Sequence, residues 1–194
     1  STPIKSSAAS DVYKRQEMEK LTKDYRAFLD AGKTERECVT ELVREAEANG
    51  YVSLEAKQAA GEKIQPGDKV YAVGMKKIMA LFHVGQEPLE KGMNILGAHI
   101  DSPRLDVKQN PLYEDTDLAY LDTHYYGGVK KYQWVALPLA IHGVIAKKDG
   151  SVVNVTIGED ENDPVVYITD LLIHQIDPQN GCYVCLAGIN KTHI

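Results

Sequence analysis

Asn94-Ile-Leu-Gly-Ala-His-Ile-Asp-Ser-Pro-Arg104 is an apolar run that opens abruptly into His-x-Asp and then Ser-Pro. Met93 to Ala98 reads as a buried strand ending at His99. In open α/β sheets, functional groups gather just past the carboxyl ends of strands, so His99 stands where an imidazole can bind a metal ion. Asp101, two residues on, can face the same way. A carboxylate hydrogen-bonded to the ring nitrogen opposite the metal fixes the tautomer and strengthens the ligand. Pro103 stiffens the turn and holds Ser102 extended. On spacing alone, a hydrogen-bonded structural histidine is the commoner source of His-x-Asp. Ser102 makes a poor nucleophile, because no G-x-S-x-G elbow surrounds it.

Upstream of this stretch the period is helical. Met18, Leu21, Tyr25, Phe28 and Leu29 share one face, and Gly32 follows as a stop. Thr34 and Glu37 form an S/T-x-x-E capping box, Val39, Leu42, Val43 and Ala46 supply a second apolar stripe, and Gly50 sits where a C-terminal cap belongs. Cys38 falls within that helix as a core residue. Residues 1–16 are polar, lack helical periodicity and have no apolar core of a signal peptide. They read as a non-native or disordered end.

From Val70 the period is two. Val70 to Val73 and Ile78 to Val84 read as strands around a Gly74 turn, and Gly85 to Gly92 as a connecting loop. Beyond Leu105 come Leu118 to Tyr126, Val135 to Ile145 and Val152 to Ile157, separated by Gly127-Gly128 and by Asp149-Gly150, a hairpin signal. Pro138 places its strand at an edge or a bulge. Little helix is expected after Gly50, the acidic run Glu159 to Asp163 reads as a solvated loop, and residues 177–194 carry no assignable pattern.

Composition narrows the partners. Of 194 residues, 43% are apolar and 26% charged, enough for a real core, and a net charge of −6 offers nothing to nucleic acid or an anionic membrane. The longest apolar stretch, Trp134 to Ala146, falls short of the roughly 20 residues a span needs. Three cysteines without a secretory signal fit reduced thiols in a cytoplasm.

The strings AHIDSPRLDVK (Ala98 to Lys108) and THYYGGVKKYQW (from Thr123) carry more than spacing does. With KTER at Lys33 to Arg36, YAV at Tyr71 to Val73 and DLL at Asp170 to Leu172, they resemble the zinc metallo-aminopeptidases that include aspartyl aminopeptidase and vacuolar aminopeptidase I, most nearly the bacterial members. The resemblance runs from about Glu17 to about His174.

That resemblance implies an α/β fold: the N-terminal part of a zinc-peptidase catalytic domain over residues 17–106, then the start of an inserted β-rich oligomerisation domain over 107–176. It implies removal of single residues from peptide N-termini by water activated between two zinc ions (other divalent metals being possible), and assembly into homo-oligomers. His99 matches the first metal-binding histidine, and Asp101 the catalytic carboxylate that orients it. His124 either approaches substrate across a subunit contact or packs a sheet edge with Tyr125 and Tyr126. Arg104 is the candidate basic group for any preference for acidic N-terminal residues. Members are more than twice as long, and their remaining metal ligands and general base lie past the region represented here. The chain therefore reads as an N-terminal fragment. The rival reading is a complete, non-catalytic assembly module.

Other candidates weigh less. Cys182-x-x-Cys185 lacks the second ligand pair a structural zinc wants. Lys130, Lys131 and Trp134 mix base and aromatic, but two lysines in an acidic chain read as a solvated strand face. His142, in an apolar run, reads as a satisfied core or interface residue, and His83 has no evident partner.

Overall fold

Helix begins earlier than the apolar periodicity does. In the computed structural model, which describes residues 5–115, 117–168 and 183–187, helix α1 spans Lys5–Ala31. Of the two alternatives for residues 1–16, non-native or disordered, this helix speaks against disorder from Lys5 onward. Apolar periodicity reports which face of a helix is buried, not whether the backbone is helical. Residues such as Ala8, Ala9, Lys14, Arg15 and Gln16 are good helix formers, and lengthening an existing helix avoids the cost of nucleation. Farther along α1, Met18, Leu21, Tyr25 and Leu29 form the expected stripe, yet that stripe is exposed, Leu21 at 69%.

The described residues form two compact units that divide between Asp101 and Ser102. In the first, α2 (Glu35–Ala48) starts at the capping box: Thr34 Oγ1 accepts from Glu37 N–H, and Glu37 Oε2 accepts from Thr34 N–H at 2.9 Å. It ends in a Schellman arrangement, in which Tyr51 N–H donates to Ala46 O and Gly50 N–H to Glu47 O, both at 3.0 Å. Gly50 makes this possible at φ 82°. Strand β1 (Val52–Ser53) and a short helix α3 (Leu54–Ala59) follow, the latter part of the little helix expected beyond Gly50.

Strands β2 (Lys69–Gly74) and β3 (Ile78–His83) form the expected hairpin, and β1 pairs parallel to β2. Helix α2 packs on this hairpin. Cys38, Val39, Ala46, Val70 and Tyr71 are buried, and Tyr71 Oη donates to Glu47 Oε1 at 2.7 Å, tying strand to helix. That bond and burial push the Tyr71 phenol above its ordinary range. Burial, reinforced by Glu35 and Glu37, likewise pushes the Cys38 thiol up, so Cys38 packs as a small neutral side chain.

The β2–β3 turn is strained. Met75 and Lys76 both adopt positive φ, 53° and 57°, where a side chain costs roughly 1–2 kcal/mol per residue. Lys77 N–H closes the turn on Gly74 O at 3.0 Å. Replacing Met75-Lys76 by Asn-Gly, the pair that suits two successive positive φ values, should stabilise the chain by about 1 kcal/mol. An unchanged or lower urea midpoint would contradict that reading of the turn.

One expected strand is not there. Met93 to Ala98 has neither strand nor helix, and Ile95 and Leu96 are 80% and 100% exposed. A strand exists only through a neighbour that completes its ladder, and no described strand pairs with this segment. An apolar run identifies residues that would be buried but does not supply what buries them.

The second unit contains β4 (Arg104–Asp115), β5 (Leu118–Tyr126), β6 (Pro138–Leu139), β7 (Ile141–Ala146), β8 (Val152–Ile157), β9 (Val165–Ile168) and β10 (Tyr183–Ala187). Its larger sheet has the order β4-β5-β10-β9-β6. Pro138 lies on the edge strand β6, where a missing N–H costs no ladder bond. The expected strand Val135 to Ile145 is split by Ala140 into β6 and β7. Strands β7 and β8 pair separately through the Asp149-Gly150 turn, with Gly150 at φ 84°.

β10 lies within residues 177–194, to which the sequence pattern assigns no structure. It pairs with β5 on one side and β9 on the other. The two flanking ladders decide that strand. The core is Leu121, Val166 and Ile168, with Leu105, Trp134, Val135, Leu139 and Ile141 against it. Among the described residues, no helix is long and apolar enough to cross a membrane.

Candidate metal centre

His99 and Asp101 are together at the end of the first unit. His99 Nδ1 lies 2.9 Å from the main-chain oxygen of Asp101 and 3.4 Å from its carboxylate Oδ1. A carbonyl oxygen can only accept, so this bond requires the proton on Nδ1 and, in the neutral ring, leaves the Nε2 lone pair available. The side chain is 84% exposed. This is the tautomer and orientation a zinc-binding histidine needs. The carbonyl's part in holding the ring is invisible in the sequence, because every residue carries one.

One imidazole does not make a zinc site, which takes about three protein ligands and an open position. Among the described residues, no group of three or more His, Cys, Asp and Glu side chains could hold a metal. The donor chemistry of His99 thus fits one arm of such a centre and no more.

His124 lies in the second unit, on β5, opposite Asp106 of β4 in the antiparallel register. Its Nε2 is 3.8 Å from Asp106 Oδ2, and the side chain is 58% exposed. Arg104 Nε donates to Asp106 Oδ1 at 2.7 Å, and its guanidinium lies over the Tyr126 ring, 4.2 Å from the centroid. Sequence reading named His124 but missed Asp106, whose place beside it follows from the ladder alone.

The remaining candidates fall away from chemistry. Trp134 packs against the core of the second unit. His142 Nε2 contacts Glu159 Oε1 at 2.9 Å with its side chain 14% exposed, as expected for a satisfied histidine. The acidic run folds on itself: Asp163 Oδ2 accepts from Gly158 N–H at 2.8 Å, and Asp160 Oδ1 from Asn162 N–H at 2.8 Å. His83 ends β3 opposite Lys69. Cys182, Asp170 to Leu172 and His174 lie outside the described residues.

The family model of the aminopeptidase I zinc metalloproteases (M18) matches residues 28–182. This chain belongs to the M18 family. A probable M18 family aminopeptidase 1 from Clostridium acetobutylicum is 62% identical over 155 residues, covering 80% of this chain and 33% of the relative. The crystal structure of aminopeptidase I from Borrelia burgdorferi superposes with a TM-score of 0.78 at 35% identity, covering 91% of this chain and 41% of that one. The mixed helix and strand fold is therefore that of aminopeptidase I structures over part of their length. A Saccharomyces mApe1 dodecamer shares the fold at 18% identity and a TM-score of 0.68. This M18 chain spans about a third of the length of the curated relatives it matches.

Proposed function

We propose that this sequence is the front part of a cytoplasmic, zinc-dependent aminopeptidase that removes single residues from peptide N-termini. Residues 17–106 open its catalytic domain, and 107–176 open a β-rich domain through which copies assemble. The observation that carries the reading is His99, held through Nδ1 with Nε2 left for a metal, in a chain of a zinc metalloprotease family.

In this reading His99 binds zinc through Nε2, while the carbonyl and carboxylate of Asp101 hold the ring. Bound zinc supplies a water of lowered pKa and polarises the scissile carbonyl, a second ion sharing the task. The other ligands come from the part of the relatives' length that this chain does not span. His124 contacts the peptide substrate, reaching it across a subunit contact. Assembly into a homo-oligomer is supported by the fold shared with the mApe1 dodecamer. The exposure of Met93, Ile95 and Leu96 favours this reading over a self-sufficient assembly module, which would bury such residues.

Metal removal tests it. Dialysis of the enzyme carrying this sequence against 1,10-phenanthroline should abolish release of N-terminal residues from unblocked peptides, and added zinc should restore it. N-acetylated peptides should resist throughout. Hydrolysis that survives chelation, or that proceeds on blocked peptides, would exclude a zinc aminopeptidase.

A further inference from the structure

The β4–β5 ladder sorts side chains by parity. Leu105 packs on the core and Thr123, opposite Val107, is buried. The even positions Arg104, Asp106, His124 and Tyr126 therefore share the other face of the sheet. Arg104 stands directly opposite Tyr126, and Asp106 directly opposite His124. The two carboxylate oxygens of Asp106 are divided between neighbours. Oδ1 accepts from Arg104 Nε at 2.7 Å, and Oδ2 faces His124 Nε2 at 3.8 Å. Arg104 is itself held over the Tyr126 ring, and its Nη1 reaches Ser102 O at 3.5 Å.

We infer that Asp106 is a positioning residue for His124, and that Arg104 is the clamp that holds Asp106. This rests on the reading of His124 as a substrate contact. An exposed imidazole on a strand turns freely about two bonds, and that freedom is lost on engaging substrate. A carboxylate anchored on one side by a charge-assisted bond and facing Nε2 on the other restricts the ring beforehand. It leaves Nδ1 as the nitrogen for substrate. Arg104 spends its charge within this cluster, so it is the support of the carboxylate rather than a pocket group for acidic N-terminal residues.

A double-mutant cycle in the assembled, zinc-loaded enzyme tests this, with kcat and KM measured on a panel of aminoacyl p-nitroanilides. Asp106→Asn should lower kcat roughly ten- to a hundredfold with little change in KM, at unaltered zinc content. On a His124→Gln background, Asp106→Asn should cost less than about twofold more. Asp106→Glu should recover part of kcat, and Arg104→Gln should lower it without changing the preferred N-terminal residue. Equal losses from Asp106→Asn on both backgrounds would overturn the proposal, as would full kcat in Asp106→Asn where His124→Gln has lost it. Full kcat in His124→Gln would instead remove the reading of His124 on which the proposal stands.

Discussion

Under the proposed function, His99→Ala should lower kcat/KM of the zinc-loaded enzyme by about three decades, since metal polarisation is worth several kcal/mol and each decade corresponds to about 1.4 kcal/mol. Zinc content, measured by mass spectrometry after gel filtration, should fall with it. Asp101→Asn should do less. The main-chain carbonyl of Asp101 lies nearer to His99 Nδ1 than the carboxylate does, 2.9 Å against 3.4 Å. The Asn variant keeps that acceptor and with it the tautomer that frees Nε2. It loses only the negative charge, so its deficit should be about ten- to a hundredfold, the usual range for partners of metal-binding histidines. Equal defects in the two variants would show that the carboxylate, not the carbonyl, holds the ring. Full zinc content in His99→Ala would remove His99 from the metal centre.

Gly32→Ala should destabilise the first unit by roughly 1–3 kcal/mol through overpacking. A Cβ at Gly32 would lie 2.8 Å from Cys38 Sγ and 3.1 Å from Phe28 O. Cys38 cannot simply turn aside, because it is buried and its thiol points at Gly32 O at 3.5 Å and Ile100 O at 3.8 Å. Gly32 does not have a positive φ, so the cost is one of contact rather than of backbone conformation. Combining Gly32→Ala with Cys38→Ala should therefore recover part of the loss, seen as a favourable coupling in urea unfolding. Strictly additive losses would return Gly32 to the ordinary role of a helix stop.

The two helix-ending glycines show how far local reading reaches. Gly50 is what its position announces: a residue at φ 82° closing a Schellman arrangement, with nothing within 4 Å of where a Cβ would sit. Gly32 carries the same sequence signal for a different reason, and that reason is a cysteine six residues away in the folded chain. Likewise Thr34 and Glu37 cap α2 as their spacing predicts, while Arg36 between them donates to Met75 O at 3.4 Å across the hairpin turn, a contact no spacing reveals.

The sequence by itself determined what depends on neighbouring residues: the capping box, the Gly50 cap, the Asp149-Gly150 hairpin, and the His-x-Asp string with its family resemblance. The first three rest on free energies settled within a few residues of chain, and the last on residue identity alone, so all can be read without the fold. Tertiary structure alone decided what depends on a distant partner. It left Met93 to Ala98 without a ladder, placed β10 between β5 and β9, and set Asp106 opposite His124. Each of those outcomes turns on which hydrogen-bonding edge meets which, and at what register. A one-residue slip of β4 on β5 would turn Arg104 and Asp106 to the face that packs the core and part them from His124 and Tyr126.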